Sequence, residues 1–318
     1  MSAQPRALSA NALSLAALRE LTPARRREAL QGLLFVSPWL IGFVAFTAYP
    51  MIASLFYSFT AYKILGAPRW VGPENYVYAL TGDPLFWLAM SRTLIWVIAT
   101  VPLGIFGSLL AAVLLNRKLL GTSFYRTAFF LPSLTPVVAA ALLWTWILQP
   151  DIGIANTVIE ALTGLRGPKW LASTEWALPS LAMIALWTST GGNRMLIFLA
   201  GLQGIPQEMY EAAEIDGAGP LRTWWHITVP LISPAIFFNL ILGVIFSFRV
   251  FAFAFVTTGG GPARSTYFYV MHLYTQAFSS FDMGYGCALA WILFVIVLVI
   301  TFIQTKLSNR WVHYESMR

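Results

Sequence analysis

Long uncharged runs, separated by short polar stretches, set the pattern of this chain. About 20 consecutive apolar residues suffice for a helix to cross the hydrocarbon of a bilayer. Six stretches meet that length approximately: 30–59, 93–115, 128–148, 178–202, 234–256 and 285–305. The fourth and fifth are less apolar, each holding one arginine, Arg194 and Arg249. Strict apolar–polar alternation, the mark of barrel strands, does not recur. The pattern predicts an all-α polytopic membrane protein with six transmembrane helices. No long internal repeat is evident, which weakens the inverted-repeat secondary transporter folds.

The segment 203–233 breaks the pattern, because it is acidic and punctuated by helix breakers. Pro206 suits the first turn of a helix, where its missing N–H costs nothing. Helix formers follow over 207–216, and Gly217 is placed to end that helix in a left-handed conformation. Pro220 suits the start of a second helix over 221–228, with Pro230 as its stop. Met209, Ala212, Ala213 and Asp216 share one face of the first helix by their spacing. Glu208, Glu211 and Glu214 form an adjacent acidic edge. That edge suits basic residues on a partner, and equally suits plain solvation.

Composition agrees with the pattern: 58% of the 318 residues are hydrophobic and 10% are charged, against roughly 25% charged in soluble domains. The single cysteine, Cys287, excludes an intrachain disulfide framework and reads as a small buried apolar residue. The net charge of +7 does not point to nucleic acid, since the basic residues sit at segment ends without interleaved aromatics. Their distribution sets orientation instead. Twelve Lys and Arg fall on the side of the termini and of the 203–233 loop, and six on the other, so that both termini and the loop are expected in the cytoplasm. Residues 1–29 read as a retained basic cytoplasmic arm, because the uncharged run after them is too long for a signal peptide. Residues 30–306 form the membrane domain and 307–318 a cytoplasmic tail. Trp39, Tyr57, Trp96, Trp144, Trp146, Trp176 and Trp311 lie near span ends and read as an interfacial belt.

The spacing Glu211-Ala212-Ala213, three residues, Gly217, nine residues, Ile227, one residue, Val229-Pro230 resembles the EAA signature of the membrane subunits of bacterial ATP-binding-cassette importers. The family pattern has Leu where this chain has Val229. The segments MLIFLAGLQGIPQEMYEAAEIDGAG and TTGGGPARST resemble the carbohydrate branch of those permeases, including the maltose and glycerol-3-phosphate importers. The resemblance runs through much of the chain from the first span onward. It implies the type I importer permease fold in a bacterial inner membrane. It also implies a second homologous permease, two ATP-binding ATPase subunits, an extracytoplasmic solute-binding protein and a small-molecule solute as partners. In that family the EAA loop couples to the ATPase. Carried over, Glu211 is the acidic contact, Ala212 and Ala213 permit close docking and Gly217 makes the turn, with Asp216 beside them in the coupling set.

No catalytic residues, cofactor or metal are expected. The phosphate-cradling GxxxxGK[ST] loop is absent, and Gly259-Gly260-Gly261 reads as a turn. His226, His272 and His313 show no metal-binding spacing.

Polar residues inside spans usually face a bundle interior or a water-filled cavity. The fourth span offers Thr188, Ser189, Thr190, Asn193 and Arg194 around Gly191-Gly192, and the fifth offers Asn239, Ser247 and Arg249. Extended without gaps, the resemblance places sugar contacts near Ser189, Thr190 and Asn193, then Gly243, Phe246, Ser247 and Val250. Duller accounts stand beside these: Thr188 and Ser247 bonding their own helix backbone, and Asn193 acting as interhelical glue. Arg249 requires a carboxylate, helix-end carbonyls, an anionic substrate or a route to the interface. Many relatives carry an aspartate where this chain has Ala252. The expectation is a permease for a sugar or sugar-like solute. A glycerol-3-phosphate-type anionic substrate is the alternative within the family, and an ion-coupled secondary transporter lies outside it.

Overall fold

The computed structural model describes residues 23–117 and 120–313. The chain divides into two compact units, Met1–Phe56 and Tyr57–Arg318. Most of the basic arm over 1–29 and the end of the tail over 307–318 lie outside the described residues.

In the first unit, the helix Pro23–Phe43 passes through a π-turn at Val44–Ala48 into Tyr49–Ser58. Its apolar side chains stand exposed, Phe35 at 87% and Phe46 at 84%. The π-turn has a local cause. Tyr49 N–H bonds back to Val44 C=O, and the next residue is Pro50, which has no N–H to give. A wider turn absorbs the missing donor. The same device recurs at Trp224–Thr228, where Val229 N–H bonds Trp224 C=O just before Pro230. Pro230 therefore does not stop its helix as expected from sequence. The helical path runs from Pro220 to Leu231, and then bends by 63° into Ser233–Phe248.

The second unit is built around the 33-residue helix Pro84–Asn116. Against it pack Ala177–Thr190, Asn193–Gln203, Ser233–Phe248 and Tyr269–Tyr274. Phe86, Trp96, Val101, Phe248, Phe268, Tyr269 and Leu289 belong to one buried cluster. Ala111, Ala112, Leu115, Met195, Phe198 and Ile232 belong to another. Trp96 is only 4% exposed and its ring lies 5.2 Å from that of Phe268. It is a core residue, so the interfacial reading of Trp96 is corrected. Cys287 is free and partly exposed, not fully buried.

Three described helices are long and apolar enough to cross a membrane: Arg26–Ser58, Pro84–Asn116 and Met283–Ser308. Counting each bent pair as one span gives five, adding Thr122–Leu134 with Val137–Ile147 and Pro220–Leu231 with Ser233–Phe248. The first of these pairs bends by 97° where Thr135 and Pro136 interrupt it. The fourth apolar stretch is not one helix. It consists of Ala177–Thr190 and Asn193–Gln203, parted at Gly191-Gly192. A Cβ on Gly191 would sit 1.8 Å from the Phe129 carbonyl oxygen, so the close approach of that chain segment requires glycine.

A two-stranded ribbon pairs Thr60–Ala61 antiparallel with Arg69–Trp70, in the register Thr60↔Trp70 and Ala61↔Arg69. Nearby, Gly284 N–H bonds Tyr62 C=O, which ties the start of the last long helix to this ribbon.

Candidate functional site

The break at Gly191-Gly192 borders a cavity of about 370 Å³. Its wall draws on Trp96 and Thr100, on Thr188, Ser189 and Arg194, and on Gly243, Phe246, Ser247 and Val250. That volume falls within the roughly 300–1,000 Å³ range of small-molecule sites. Of the residues expected to line a pathway, the structure brings Ser189, Phe246 and Ser247 together here. The other three lie elsewhere. Thr190 packs against Gly107 and lines a separate hollow beside Phe129 and Trp187. Asn193 is exposed at the start of its helix and does not reach the cavity. Arg249 caps the end of Ser233–Phe248 and points into an apolar groove on the opposite side, among Leu293, Val297 and Phe302. Helix geometry explains the division. Ser247 and Arg249 are two positions apart, hence on different faces.

The duller account holds for Thr188, whose hydroxyl donates to Ala185 C=O at 2.9 Å. It does not hold for Ser247: neither Ser189 nor Ser247 makes a side-chain hydrogen bond among the described residues.

Arg194 stands out in this wall. Its guanidinium runs between two helices at glycines. A Cβ at Gly104 would meet Nη1 at 2.3 Å, and one at Gly243 would lie 3.5 Å from Nη2. Among the described residues it has no salt-bridge or hydrogen-bond partner; the one ion pair found is Asp83 with His272.

That pair belongs to a second polar cluster, which sequence reasoning missed. Asp83 caps the long helix, its Oδ1 accepting from Leu85 N–H at 2.8 Å. Its Oδ2 accepts from Tyr285 O–H at 2.6 Å and from His272 Nε2 at 2.8 Å. Tyr267 O–H completes the set on His272 Nδ1 at 3.3 Å. Nε2 donates to the carboxylate and Nδ1 meets the Tyr267 hydroxyl. Burial pushes the His272 ring below its ordinary value, against the pull of Asp83. Burial alone would raise the Asp83 carboxyl, but the Tyr285 hydroxyl, the His272 ring and Leu85 N–H outweigh it and hold it low. In sequence, Gly82-Asp83-Pro84 signals a helix start, but nothing marks a partner 189 positions away.

The acidic loop folds largely as expected. Gln207–Ile215 is helical, and Gly217 takes φ +71° in the left-handed region. Ala218 N–H bonds Ala213 C=O and Gly217 N–H bonds Glu214 C=O, the Schellman arrangement. Pro220 opens the second helix. Glu208, Met209, Glu211, Ala212, Asp216 and Gly217 are exposed, and Glu211 accepts from the Gln207 side-chain amide at 2.9 Å. Ala213 departs from the expected outward face. It is buried at 8% exposure, and Tyr210 next to that face reaches Thr228 at 3.1 Å. No group of three His, Cys, Asp or Glu side chains able to hold a metal occurs among the described residues.

Residues 104–313 match the family model described as "Binding-protein-dependent transport system inner membrane component". A probable ABC transporter permease of Bacillus subtilis (strain 168), YesP, is 42% identical, the match covering 92% of this chain and 94% of the relative. The sulfoquinovosyl glycerol transport system permease SmoG of Agrobacterium fabrum is 32% identical, over 88% of this chain and 91% of its own. Among solved structures, a chain of a bacterial alginate ABC transporter, in complex with an alginate pentasaccharide-bound periplasmic protein, superposes with a TM-score of 0.78. It is 23% identical, over 90% of this chain and 96% of that one.

Proposed function

Because the chain belongs to the binding-protein-dependent transport system inner membrane component family, we propose that it carries a sugar or sugar-like solute inward by alternating access, without catalysing a reaction itself. It is a permease component of a sugar-type ABC importer. On this reading the cavity bounded by Ser189, Arg194 and Ser247 forms this subunit's share of the pathway. Two ATPase subunits hydrolyse ATP and engage the loop at 203–233, and a second permease completes the channel. A solute-binding protein delivers cargo from the other side. Both termini and Glu211 face the cytoplasm, in keeping with the twelve-to-six bias of basic residues.

The observation that carries the coupling role is the exposed edge of Glu208, Glu211 and Glu214 on a helix locked by the Gly217 cap. A rigid helix transmits a push, whereas a frayed one absorbs it. Reversing Glu211 to Lys is expected to uncouple ATP hydrolysis from uptake in the reconstituted importer while cargo still binds its receptor. Undiminished uptake and unchanged cargo-stimulated hydrolysis would remove this assignment.

A further inference from the structure

We infer that the cargo is anionic, and that Arg194 is the residue in this subunit that reads its charge. This rests on the importer reading above and names the substrate class of the same cavity. The guanidinium is half-buried in the wall of a cavity whose other lining residues are apolar or carry only hydroxyls and an indole. No carboxylate among the described residues lies within ion-pair distance of it, and no carbonyl accepts from it.

The guanidinium faces the cavity with no protein partner among the described residues, and the fold makes room for it there. Gly104 and Gly243, on two different helices, leave the slot that the side chain occupies, and at Gly104 a single methyl group would displace it. The planar fork presents paired donors, which match a carboxylate, sulfonate or phosphate. Arg194 is also the second residue of an 11-residue helix whose N-cap residue, Gly192, supplies no side-chain cap. The partial positive charge of that helix end adds to the same field. The hydroxyls of Ser189 and Ser247, free of internal bonds, remain for sugar oxygens. Arg249, the other intramembrane arginine, faces the apolar groove and takes no part.

The test uses the complete importer in proteoliposomes with its binding protein. Uptake is compared for three pairs of probes: digalacturonate against galactobiose, sulfoquinovosyl glycerol against glucosyl glycerol, and glycerol 3-phosphate against glycerol. At least one anionic member is expected to be transported and its neutral partner refused, and the arm that responds identifies the acidic group. Arg194→Gln is expected to raise the half-saturating concentration of that anion about ten- to a hundredfold, the loss of a charge-assisted hydrogen bond, with assembly intact. Arg194→Lys is expected to recover part of it. Gly104→Ala, which moves the guanidinium without removing its charge, is expected to act in the same direction. ATP-driven uptake of neutral probes alone overturns the inference and leaves the importer reading standing. Full anion uptake by Arg194→Gln overturns it too, as does failed assembly of that variant, which would mean that Arg194 pairs with a carboxylate of a partner subunit. Absence of ATP-driven uptake of every anionic probe overturns the inference for these acidic groups, whereas absence of probe-stimulated ATP hydrolysis and of uptake with the native binding protein's own retained solute would count against the coupling reading instead.

Discussion

Two ionisable sites in the second unit have been treated in opposite ways. At Asp83, every donor and acceptor meets a partner: Leu85 N–H, Tyr285 O–H and His272 on the carboxylate, and Tyr267 behind the imidazole. At Arg194, a permanent cation lines a cavity with no partner among the described residues. Both sit in apolar surroundings, where an unmet polar group costs much more than a satisfied one contributes. The first arrangement ties together the starts of two long helices and the Tyr269–Tyr274 segment, so it acts on stability. The second presents a guanidinium with no protein partner among the described residues to a cavity where an anion can meet it, so it acts on binding.

The largest expected effect comes from breaking the satisfied site. Asp83→Ala strands the Tyr285 hydroxyl and the His272 ring in the interior. Each stranded group costs roughly 1–3 kcal/mol, so a loss of about 3 kcal/mol is expected, read as a lower thermal midpoint of the detergent-solubilised importer. An unchanged midpoint would show that the cluster holds nothing together. Arg194→Gln should do the reverse of Asp83→Ala: transport of the anion falls, while the midpoint stays level or rises, because an unpaired charge has been removed. A midpoint lowered as far as that of Asp83→Ala would erase the distinction between the two sites.

Acid should act on the Asp83 site alone. The groups facing His272 are Asp83, Tyr267 and Tyr285, and burial holds the ring's affinity for protons below its ordinary value of 6.5. The unfolded chain therefore binds the proton first, and stability present above pH 6.5 declines as pH falls below it. The slope is at most about 1.4 kcal/mol per pH unit for one proton. The lowered Asp83 carboxyl contributes its own stabilisation above 3.8, which is lost only at more acidic pH. Thermal midpoints taken between pH 7.5 and 5 should fall in the native protein and fall less in His272→Gln. Equal slopes would assign the acid sensitivity elsewhere. The smallest effect is expected from Gly217→Val, a strained left-handed residue outside both sites. It should cost about 1–2 kcal/mol locally in the loop, measured by proteolysis there, and should weaken the coupling of ATP hydrolysis to uptake while leaving the Asp83-dependent midpoint and the preference for anionic over neutral cargo unmoved.

Periodic features were legible in the sequence and paired ones were not. Apolar runs located the long helices, and Gly217 and Pro220 marked their turn and helix start because each acts through its own backbone. The spacing of the EAA loop identified the family. Of the pathway candidates, Ser189, Phe246 and Ser247 meet at one cavity, whereas Thr190, Asn193 and Arg249 lie elsewhere: the break at Gly191-Gly192 parts Asn193 from the helix that carries Ser189, and Arg249 follows the last residue of its own helix. Ala213 turned inward and Trp96 entered the core for a related reason: outward and inward depend on neighbours that no local pattern specifies. The Asp83–His272–Tyr285 cluster joins residues up to 202 positions apart and left no sequence signal beyond a helix cap.

The division of labour between the two sites is tested most directly on one purified importer, by measuring anion uptake and thermal midpoint in parallel for Asp83→Asn and Arg194→Gln. Asp83→Asn is expected to lower the midpoint while the assembled fraction keeps the native half-saturating concentration. Arg194→Gln is expected to raise that concentration at least tenfold without lowering the midpoint. Both variants shifting both quantities together would contradict the account.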